Sequence, residues 1–420
     1  MFQFFYTLSA EISCDVFAMN RWNVVALGAR DYYQVAQALD EAGCLGYLVT
    51  DFYTPDVFRS VIKKRFNVEL ASKKAISLIP VLLAIKILLI ALGYSERRRE
   101  RIIDFVFGFL ASLLTTLGRK NAVVYSYYIE GFSAFRRIFG VERGRVIVFQ
   151  VHPAPWFVKR ILEADALRMK QDFGLVFADE IEAIYDCAAM FRYKSSLASA
   201  DKIICASSFT AESITDEAIC RSKIDIIPYG NKLVSEPRYS LPKNPLVTSK
   251  IRLLSVCQLV HRKGMHHAFL AMKGMEEYFE WVVVANVVDP SIAELAPSCV
   301  NFQTNLDDES LAALYRDSDL FVMPSLVEGF GMVYVEALHF GLPVLGTSNT
   351  GLPDLLDESA VGLLVESGSR SDLEEVFRAL VDGSIIVPSK QLCCDTADRF
   401  TWSVFREKVS RSVCSYEGQQ

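Results

Sequence analysis

Two glutamates flank a glycine-containing turn in the segment 324–338, whose sequence is PSLVEGFGMVYVEAL. Glu328 precedes the Gly-Phe-Gly turn at 329–331, and Glu336 follows it. Glycines let backbone N–H groups approach an anion closely, and the N-terminus of a following helix favours a diphosphate. On one continuous helix the two glutamates would stand about 12 Å apart and about 80° out of phase. With Glu328 in a loop and Glu336 in a helix, the carboxylates could hold the two hydroxyl-bearing ends of a nucleotide-sugar.

The neighbouring elements bear on the alternative, in which Glu328 is a solvated loop acid and Glu336 an exposed helix residue. An apolar strand is predicted at 320–323, and the helix that opens at the turn is predicted to end at Gly341. A further strand is predicted at 344–347. Such a strand–loop–helix–strand unit places its loop at the carboxyl end of a parallel strand, where open α/β sheets bind ligands.

Two cations, Arg262 and Lys263, precede Gly264 in a second loop of the same kind. This loop follows a strand predicted at 251–256 and precedes a helix predicted at 265–275. A guanidinium and an ammonium group suit the negative charge that develops on a pyrophosphate leaving group. The alternative is a pair of solvated loop cations.

Composition narrows the class of protein. The chain has 420 residues, of which 51% are hydrophobic, so two domains with a sizeable core are expected. Its net charge of −6 argues against a general nucleic-acid binder. Ten cysteines are scattered without a Cys-x-x-Cys pair, and the five histidines form no metal-binding motif. We therefore expect a protein of the reducing cytoplasm without a metal site.

Two apolar segments, 75–92 and 102–117, raise the question of membrane contact. No signal peptide is predicted, because residues 1–19 lack a basic n-region. The two segments flank an arginine-rich run at 97–101, and each contains a charged residue. Three alternatives follow: a membrane-spanning hairpin, a hairpin buried in the core, and a basic, apolar surface on the cytoplasmic leaflet. The last would put a cytoplasmic protein in peripheral contact with anionic lipid at the inner face of the membrane.

Strand and helix patterns alternate along both halves of the chain and predict two doubly wound α/β domains. We expect a Rossmann-like domain at 1–240 with a helical apolar insert at 73–118, a second Rossmann-like domain at 241–398, and a C-terminal helix at 399–420. A proline-containing linker is predicted at 231–250. The turn Gly28-Ala29-Arg30 is no Gly-x-Gly-x-x-Gly fingerprint, so a dinucleotide oxidoreductase gains little support.

Five short motifs over residues 200–354 resemble family 4 of the retaining glycosyltransferases. They are ADKIICASS at 200–208, IPYG at 227–230, RKG at 262–264, the Glu-x7-Glu segment and GLPD at 351–354. The resemblance extends over about 202–377, with weaker similarity at 24–51 and 149–153. It implies the α/β GT-B fold, in which two Rossmann-like domains face a central cleft and a C-terminal helix closes back on the first domain. The first domain would bind the acceptor and the second the donor.

The activity implied by the resemblance is retaining, metal-independent transfer of a sugar from a nucleoside-diphosphate sugar to a glycan or lipid-linked acceptor. Cell-surface polysaccharide biosynthesis is the expected setting. The nucleotide-sugar is then a co-substrate, and neither a cofactor nor a nucleic-acid partner is expected. Two rivals are a phosphorylase or epimerase of the same fold, and an inactive relative that serves as a membrane-associated assembly subunit.

Residue roles carry over by resemblance onto matching positions. The expected catalytic residues are Glu328, His152, Arg262 and Lys263. The expected donor-binding residues are Glu336, Gly329, Phe330, Gly331, Met332 and Gly28. Glu328 would face the transferred sugar, and Glu336 would accept hydrogen bonds from the ribose hydroxyls. His152, which follows a strand predicted at 145–151, would face the donor sugar and the acceptor.

Several of these residues also have structural interpretations. The Phe330 side chain could serve only to fill the hydrophobic core. His152 could be a structural histidine whose ring nitrogens are hydrogen-bonded within the protein. His261 is expected to be exposed or phosphate-facing, whereas His266 and His267 are expected on a helix surface and its buried edge.

The chain departs from the family pattern at three places. Cys257-Gln258 stands where family members commonly carry Gly-Arg, so one phosphate-binding arginine is missing. Asp354 stands where glutamate is common, and Gly28-Ala29 replaces a pair of glycines. These departures bear on the donor and acceptor contacts more than on the reaction class.

Overall fold

The computed structural model describes residues 21–28, 31–53, 70, 74–118, 120–142, 144–177, 187–231, 250–356 and 361–414. The predictions on residues 1–19, on Ala29 and Arg30, and on most of the 231–250 linker lie outside these ranges. The chain forms two compact units, and most contacts between residues lie within one unit or the other. The first holds the residues up to Val148 and those from Val409 onward, and the second is Phe149–Lys408. The domain limits at 240 and 398 stay predictions.

The first unit is built on parallel strands. These are β1 Trp22–Val25, β2 Leu45–Thr50, β3 Ala75–Ser77 and β4 Asn121–Tyr125, while β5 Val146–Gln150 contains the unit boundary. The first four lie in the order β3-β2-β1-β4. The helices are α1 Gln34–Glu41, α2 Ile79–Ala91, α3 Glu96–Leu117 and α4 Ile129–Ile138. All four residues of β1 are buried, as expected for a central strand of a parallel sheet.

Asp31 fills the turn between β1 and α1. Its carboxyl group accepts hydrogen bonds from the backbone N–H groups of Tyr33 at 3.0 Å and Val35 at 3.3 Å, and from the Tyr125 hydroxyl. Burial raises the pKa of Asp31, and these hydrogen bonds only partly offset the rise. The N-terminus of α1 is therefore capped by a buried acid of the protein itself.

Helix α2 consists of apolar residues apart from Lys86, yet the unit covers little of it. Leu82 and Leu89 are buried. Five other large side chains are 46–58% exposed, namely Val81, Leu83, Ile87, Leu88 and Ile90. The alternative of a hairpin buried in the core does not hold for α2, because only one side of the helix packs. Among the described residues, no helix has the length and apolarity needed to cross a membrane.

The second unit contains two groups of strands. Strands β6 Lys202–Cys205 and β7 Ile224–Ile226 pair in parallel. A six-stranded parallel sheet comprises β8 Ile251–Val256, β9 Phe279–Val284, β10 Val300–Gln303, β11 Leu320–Val322, β12 Val344–Thr347 and β13 Gly362–Val365. Its order is β10-β9-β8-β11-β12-β13.

Helices connect these strands. They are α5 Pro155–Phe173, α6 Cys187–Ala198, α7 Ser208–Ile214, α8 Met265–Met272, α9 Pro290–Ala293, α10 Asp308–Asp317, α11 Met332–His339, α12 Leu352–Leu356, α13 Arg370–Asp382 and α14 Lys390–Ala397. A last helix, α15 Trp402–Cys414, contains the second unit boundary. The alternation of strand and helix predicted for this half is confirmed.

An aromatic core packs beside β8, the strand that precedes the loop with Arg262 and Lys263. Trp281 of β9 packs edge-on against Phe269 of α8 at 5.3 Å and against Phe377 of α13 at 6.1 Å between ring centroids. Its indole N–H donates to Ser255 Oγ of β8 at 3.0 Å. Burial of such large apolar side chains stabilises a fold by roughly 1.5–3 kcal/mol each, and the indole hydrogen bond joins this core to β8 one residue before the strand ends.

Candidate active site

The turn His261–Lys263 and the loop after β11 are held together by backbone contacts. Strands β8 and β11 are parallel neighbours, so the loops that follow them meet at the same edge of the sheet. The Arg262 carbonyl accepts a hydrogen bond from the Leu326 N–H at 2.8 Å. At Gly264, where φ is +66°, an added Cβ would lie 2.0 Å from the Pro324 carbonyl oxygen. Only glycine therefore allows these loops to touch.

Glu328 lies between the two predicted cations. Its Oε2 atom accepts a hydrogen bond from Arg262 Nη1 at 2.8 Å and forms an ion pair with Lys263 Nζ. Burial alone would raise the pKa of Glu328. The charges of Lys263, Arg262 and His152 outweigh burial and hold this pKa well below its ordinary value of 4.5. Glu328 is therefore ionised, and two cations and one anion meet at the carboxyl edge of the sheet.

His152 follows β5 and lies beside the turn that contains Gly329. A Cβ added to Gly329 would lie 2.5 Å from the Val151 carbonyl oxygen and 3.4 Å from His152 Nδ1. The Gly329 carbonyl accepts hydrogen bonds from the hydroxyl groups of Ser207 and, at 3.1 Å, Thr210. The structure thus places His152 next to the turn that follows Glu328. The close approach is possible because residue 329 is a glycine and has no Cβ.

Glu336 lies in α11, which begins at Met332 directly after Gly331. Gly331 adopts a φ of +83°, and no described side chain caps this helix N-terminus. Glu336 Oε2 accepts a hydrogen bond from the Tyr315 hydroxyl at 3.3 Å. Burial raises the pKa of Glu336, and the Tyr315 hydrogen bond only partly offsets this. The predicted placement of Glu328 in a loop and Glu336 in a helix is confirmed, and their environments shift the two pKa values in opposite directions.

Phe330 and Gly28 contribute differently from the other predicted donor-binding residues. Phe330 is 3% exposed, and its ring packs against Tyr229 at 6.0 Å between centroids, which favours the interpretation that its side chain only fills the core. Gly28 belongs to the first unit. There it adopts a φ of +70° and donates its N–H to Asp51 Oδ1 at 3.0 Å. Its donor-binding role stays a prediction.

The structure corrects the predictions for the histidines around α8. Every residue of α8 is buried, so His266 does not lie on a helix surface, whereas His267 is buried as predicted. His261, expected to be exposed or phosphate-facing, is 1% exposed. All three side chains instead hydrogen-bond to Asp165 of α5. Burial lowers the pKa of His266 to about 3 despite its hydrogen bond to Asp165, so this ring is neutral.

Sequence reasoning missed the residues that fasten the Gly329 loop. Ser207 caps α7 and also donates to the Gly329 carbonyl, and the Ser208 N–H donates to Asp354 Oδ2 at 2.7 Å. Ser207 and Ser208 belong to the motif at 200–208 and Asp354 to the motif at 351–354. The hydrogen bonds that they form are visible only in the structure. Asp165 gave no signal, because a single acid in a helical pattern is usually solvated.

Comparison with known families finds a match for part of the chain. Residues 240–391, less than half of the chain, match the family described as Glycosyl transferases group 1. A D-inositol 3-phosphate glycosyltransferase of Corynebacterium jeikeium (strain K411) is 32% identical over 114 residues, which is 27% of each chain. The amylovoran biosynthesis glycosyltransferase AmsK of Erwinia amylovora is 23% identical over 186 residues, 40% of this chain and 44% of that protein. The matched segments thus span less than half the length of these curated relatives.

Comparison of structures extends the similarity over nearly the whole chain. The α,α-trehalose-phosphate synthase (UDP-forming) of Burkholderia vietnamiensis superposes with a TM-score of 0.60 at 11% identity. The match covers 94% of this chain and 100% of that structure. At such low identity the likeness concerns the fold. The chain therefore has the GT-B fold with two parallel-sheet α/β domains, and its residues 240–391 are similar to the Glycosyl transferases group 1 family.

Proposed function

We propose that this protein is a retaining glycosyltransferase that moves a sugar from a nucleoside-diphosphate sugar to a glycan or lipid-linked acceptor. The observation that carries the proposal is the ion-paired set of buried Glu328 and Lys263 with half-buried Arg262 at the carboxyl edge of a parallel sheet. This set lies inside the segment similar to glycosyl transferases group 1. The name of the relative that acts in amylovoran biosynthesis supports a role in polysaccharide biosynthesis, which we propose is that of a cell-surface polysaccharide. The UDP-forming structural neighbour makes UDP-sugars the first donors to screen.

In the proposed reaction, Arg262 and Lys263 bind the donor diphosphate. The bond between the anomeric carbon and the diphosphate oxygen breaks, and the acceptor hydroxyl oxygen bonds to that carbon from the same face. The proton of the acceptor hydroxyl leaves with the nucleoside diphosphate. Negative charge grows on the leaving group during this step, and a guanidinium and an ammonium group stabilise it more strongly than they stabilise the bound donor. The N-terminus of α11 at Gly331 adds a further positive potential.

Glu328 and Glu336 have different tasks in this proposal. Glu328 is bonded to both cations, so an arriving diphosphate has to compete with its carboxylate for them. The carboxylate then accepts a hydrogen bond from a hydroxyl of the transferred sugar. Glu336, which Tyr315 holds by a single hydrogen bond, accepts bonds from the ribose hydroxyls. His152 lies beside Gly329 and faces the sugar and the acceptor in the proposal.

The first experiment measures binding and turnover of donors. Calorimetry with UDP, GDP and ADP is followed by chromatographic detection of the nucleoside diphosphate released from the matching sugars. We expect Lys263→Ala and Glu336→Ala to weaken binding at least about 30-fold, the equivalent of one charge-assisted hydrogen bond. The control is Arg378→Ala, which removes an exposed arginine that pairs with Glu374 at 2.7 Å in α13.

Each rival has a distinct result in this experiment. Full activity in both variants would overturn the site assignment. A wild-type protein that binds no nucleoside diphosphate would be the inactive assembly subunit. A phosphorylase would carry a cofactor that absorbs visible light. The proton coupling at the anomeric carbon of the product distinguishes retention from inversion.

We also propose that α2 contacts an anionic membrane surface. The helix ends at Ala91, and the next helix begins at Glu96 with Arg97 and Arg98, both of which are exposed. An apolar face beside cations suits the interface of a leaflet with acidic lipids. In flotation assays we expect binding to vesicles containing phosphatidylserine and none to purely zwitterionic vesicles. The double substitution Ile87→Ser and Leu88→Ser should abolish it, whereas Ile386→Ser, at a position that is 90% exposed, should not. A wild-type protein that ignores both vesicle types would contradict this proposal.

A further inference from the structure

Three histidines and one aspartate form a buried cluster outside the set of residues proposed to act on the donor. Asp165 lies in α5, His261 opens the turn before Gly264, and His266 and His267 lie in the first turn of α8. None of the four is more than 2% exposed. Asp165 Oδ2 is 2.9 Å from His261 Nε2 and 3.1 Å from His266 Nε2, and Oδ1 is 2.8 Å from His267 Nε2.

Hydrogen bonding alone accounts poorly for burying so many imidazoles. The Asp165 carboxylate accepts bonds from all three rings and from Arg168 Nη2 at 3.2 Å, so its oxygens are fully used. The Nδ1 atoms of His266 and His267 are nevertheless buried without a hydrogen-bond partner among the described residues. A buried ring nitrogen without a partner destabilises a fold. A metal ion held by the Nε2 atoms of His261 and His266 would bind these rings more strongly than one shared carboxylate does, and this would offset the cost of burying the Nδ1 atoms.

The positions of the nitrogen and oxygen atoms suit a cation. One ligand atom each from Asp165, His261 and His266 lies within 4.8 Å of the other two. Two imidazole nitrogens and one carboxylate oxygen form a common set for divalent first-row metals. With zinc–nitrogen bonds of about 2.0–2.1 Å, ligands of a tetrahedral ion stand about 3.3 Å apart. The 2.9 and 3.1 Å separations from Asp165 Oδ2 therefore need only small adjustments.

The surroundings would hold these ligands in place. His267 and Arg168 bond to Oδ1, which orients the carboxylate, and the ion would take the place of the hydrogen bonds that Oδ2 accepts from His261 and His266. The Phe177 ring stacks on His261 at 4.1 Å and lies 4.7 Å from His266, so it shields both rings. Asp165, His261 and His266 supply three ligands of a tetrahedral ion, and a water molecule would supply the fourth.

We propose that Asp165, His261 and His266 bind a divalent transition-metal ion, with Zn²⁺ as the probe, and that this ion ties α5 to the turn that carries Arg262 and Lys263. The ion is structural: it stabilises the second unit and takes no part in sugar transfer. The proposal does not depend on the proposed glycosyltransferase activity, because metal content and stability are measured without any donor.

The test uses the full chain without a polyhistidine tag. Chelator-treated protein is titrated with Zn²⁺, and bound metal is counted by mass spectrometry after dialysis. We expect about one Zn²⁺ per chain and a rise in Tm of about 5 °C or more. Co²⁺ should give visible ligand-field bands on the wild-type protein, and this measurement needs no variant that could misfold.

Variants locate the ion. His261→Gln, His266→Gln and Asp165→Asn should each lose the bound metal, whereas His339→Gln, which changes a buried histidine of α11, should keep it. Fewer than about 0.1 equivalents of Zn²⁺ on wild-type protein, with no change in Tm, would overturn the proposal. Unchanged stoichiometry in both His261→Gln and His266→Gln would do the same, because the ion would then bind elsewhere.

Discussion

Glu328 and Arg262 form a largely buried ion pair in which Oε2 lies 2.8 Å from Nη1, although the two residues come from loops after different strands. The Glu328 side chain is 10% exposed and that of Arg262 is 27% exposed. Lys263 joins the same oxygen. In such a site the removal of one partner matters more than the net strength of the pair, because it leaves the other charges without compensation.

Replacing Glu328 with glutamine is expected to lower the free energy of unfolding by about 2–3 kcal/mol at neutral pH, because Arg262 and Lys263 lose their counterion. The stability that depends on ionised Glu328 is fully present above its ordinary pKa of 4.5 and is lost as the pH falls through the lowered pKa of the folded state. The difference between wild type and variant should therefore shrink as the medium is acidified below 4.5. Urea titrations along a pH series measure it.

The control for this prediction is Glu374→Gln, which removes an acid from the exposed pair with Arg378. This variant should follow the wild-type pH profile. If Glu328→Gln and wild type stay separated by a constant free energy down to the acid transition, the ion pair is not the source of the lowered pKa.

Substituting alanine for Gly264 is expected to destabilise the protein by about 3 kcal/mol or more. The positive φ of +66° contributes roughly 1–2 kcal/mol, and the contact of Cβ with the Pro324 carbonyl adds the remainder. Gly274, at the other end of α8, has a φ of +87° and nothing within 4 Å of an added Cβ, so Gly274→Ala should show the backbone effect alone. Equal losses in the two variants, measured by chemical denaturation, would contradict the close contact between the two loops.

Gly329→Ala is expected to separate the turn after Glu328 from the end of β5, since an added Cβ would collide with the Val151 carbonyl oxygen at 2.5 Å. His152 moves with that strand end, so turnover of the best donor should fall about 100-fold or more while nucleoside diphosphate binding changes little. Gly118→Ala is the matched control, because its nearest neighbour would lie 3.6 Å away in ordinary contact. A loss confined to the binding constant would instead place His152 outside the reacting centre.

Tyr315→Phe tests whether Tyr315 positions Glu336. Its hydroxyl donates to Glu336 Oε2 at 3.3 Å, and without it the carboxylate is held less firmly toward the ribose. We expect KM for the donor to rise about 3–10-fold with little change in kcat, because Glu336 stays in place and loses only one hydrogen bond that acts equally on ground and transition states. Tyr278→Phe, at a side chain that is 43% exposed, should change neither constant. A fall in kcat alone would argue against a ribose-binding role for Glu336.

Most of the second unit could be predicted from the sequence, because short apolar strands alternate there with helices that have clear ends. Strands β8 and β12 have the predicted limits. Helix α8 was predicted to end at 275 and ends at Met272, two residues before Gly274, whose φ is +87°. Apolar periodicity locates such helices, and the point at which a glycine ends them depends on local geometry.

Residue type and spacing predicted only part of the candidate site. Arg262, Lys263 and Glu328 could be assigned to the carboxyl edge of one sheet, because each lies in a loop that follows a strand of that sheet. The partnership of Asp165 with His261 could not, since it joins residues 96 positions apart through tertiary packing. The exposure of α2 was equally out of reach, because an apolar helix has the same composition whether it faces a core, a lipid or water.

The Asp31 carboxyl group at the start of α1 gives the first unit a built-in competitor for anions. It is attached to the same chain and held in place by Tyr33, Val35 and Tyr125, so its effective concentration at that helix terminus far exceeds that of any dissolved phosphate. A free nucleotide would have to displace an acid that never diffuses away. The N-termini of α1 and α11 thus differ in their chemistry, since an acid of the chain already accepts hydrogen bonds from backbone N–H groups at α1, whereas no described side chain caps α11.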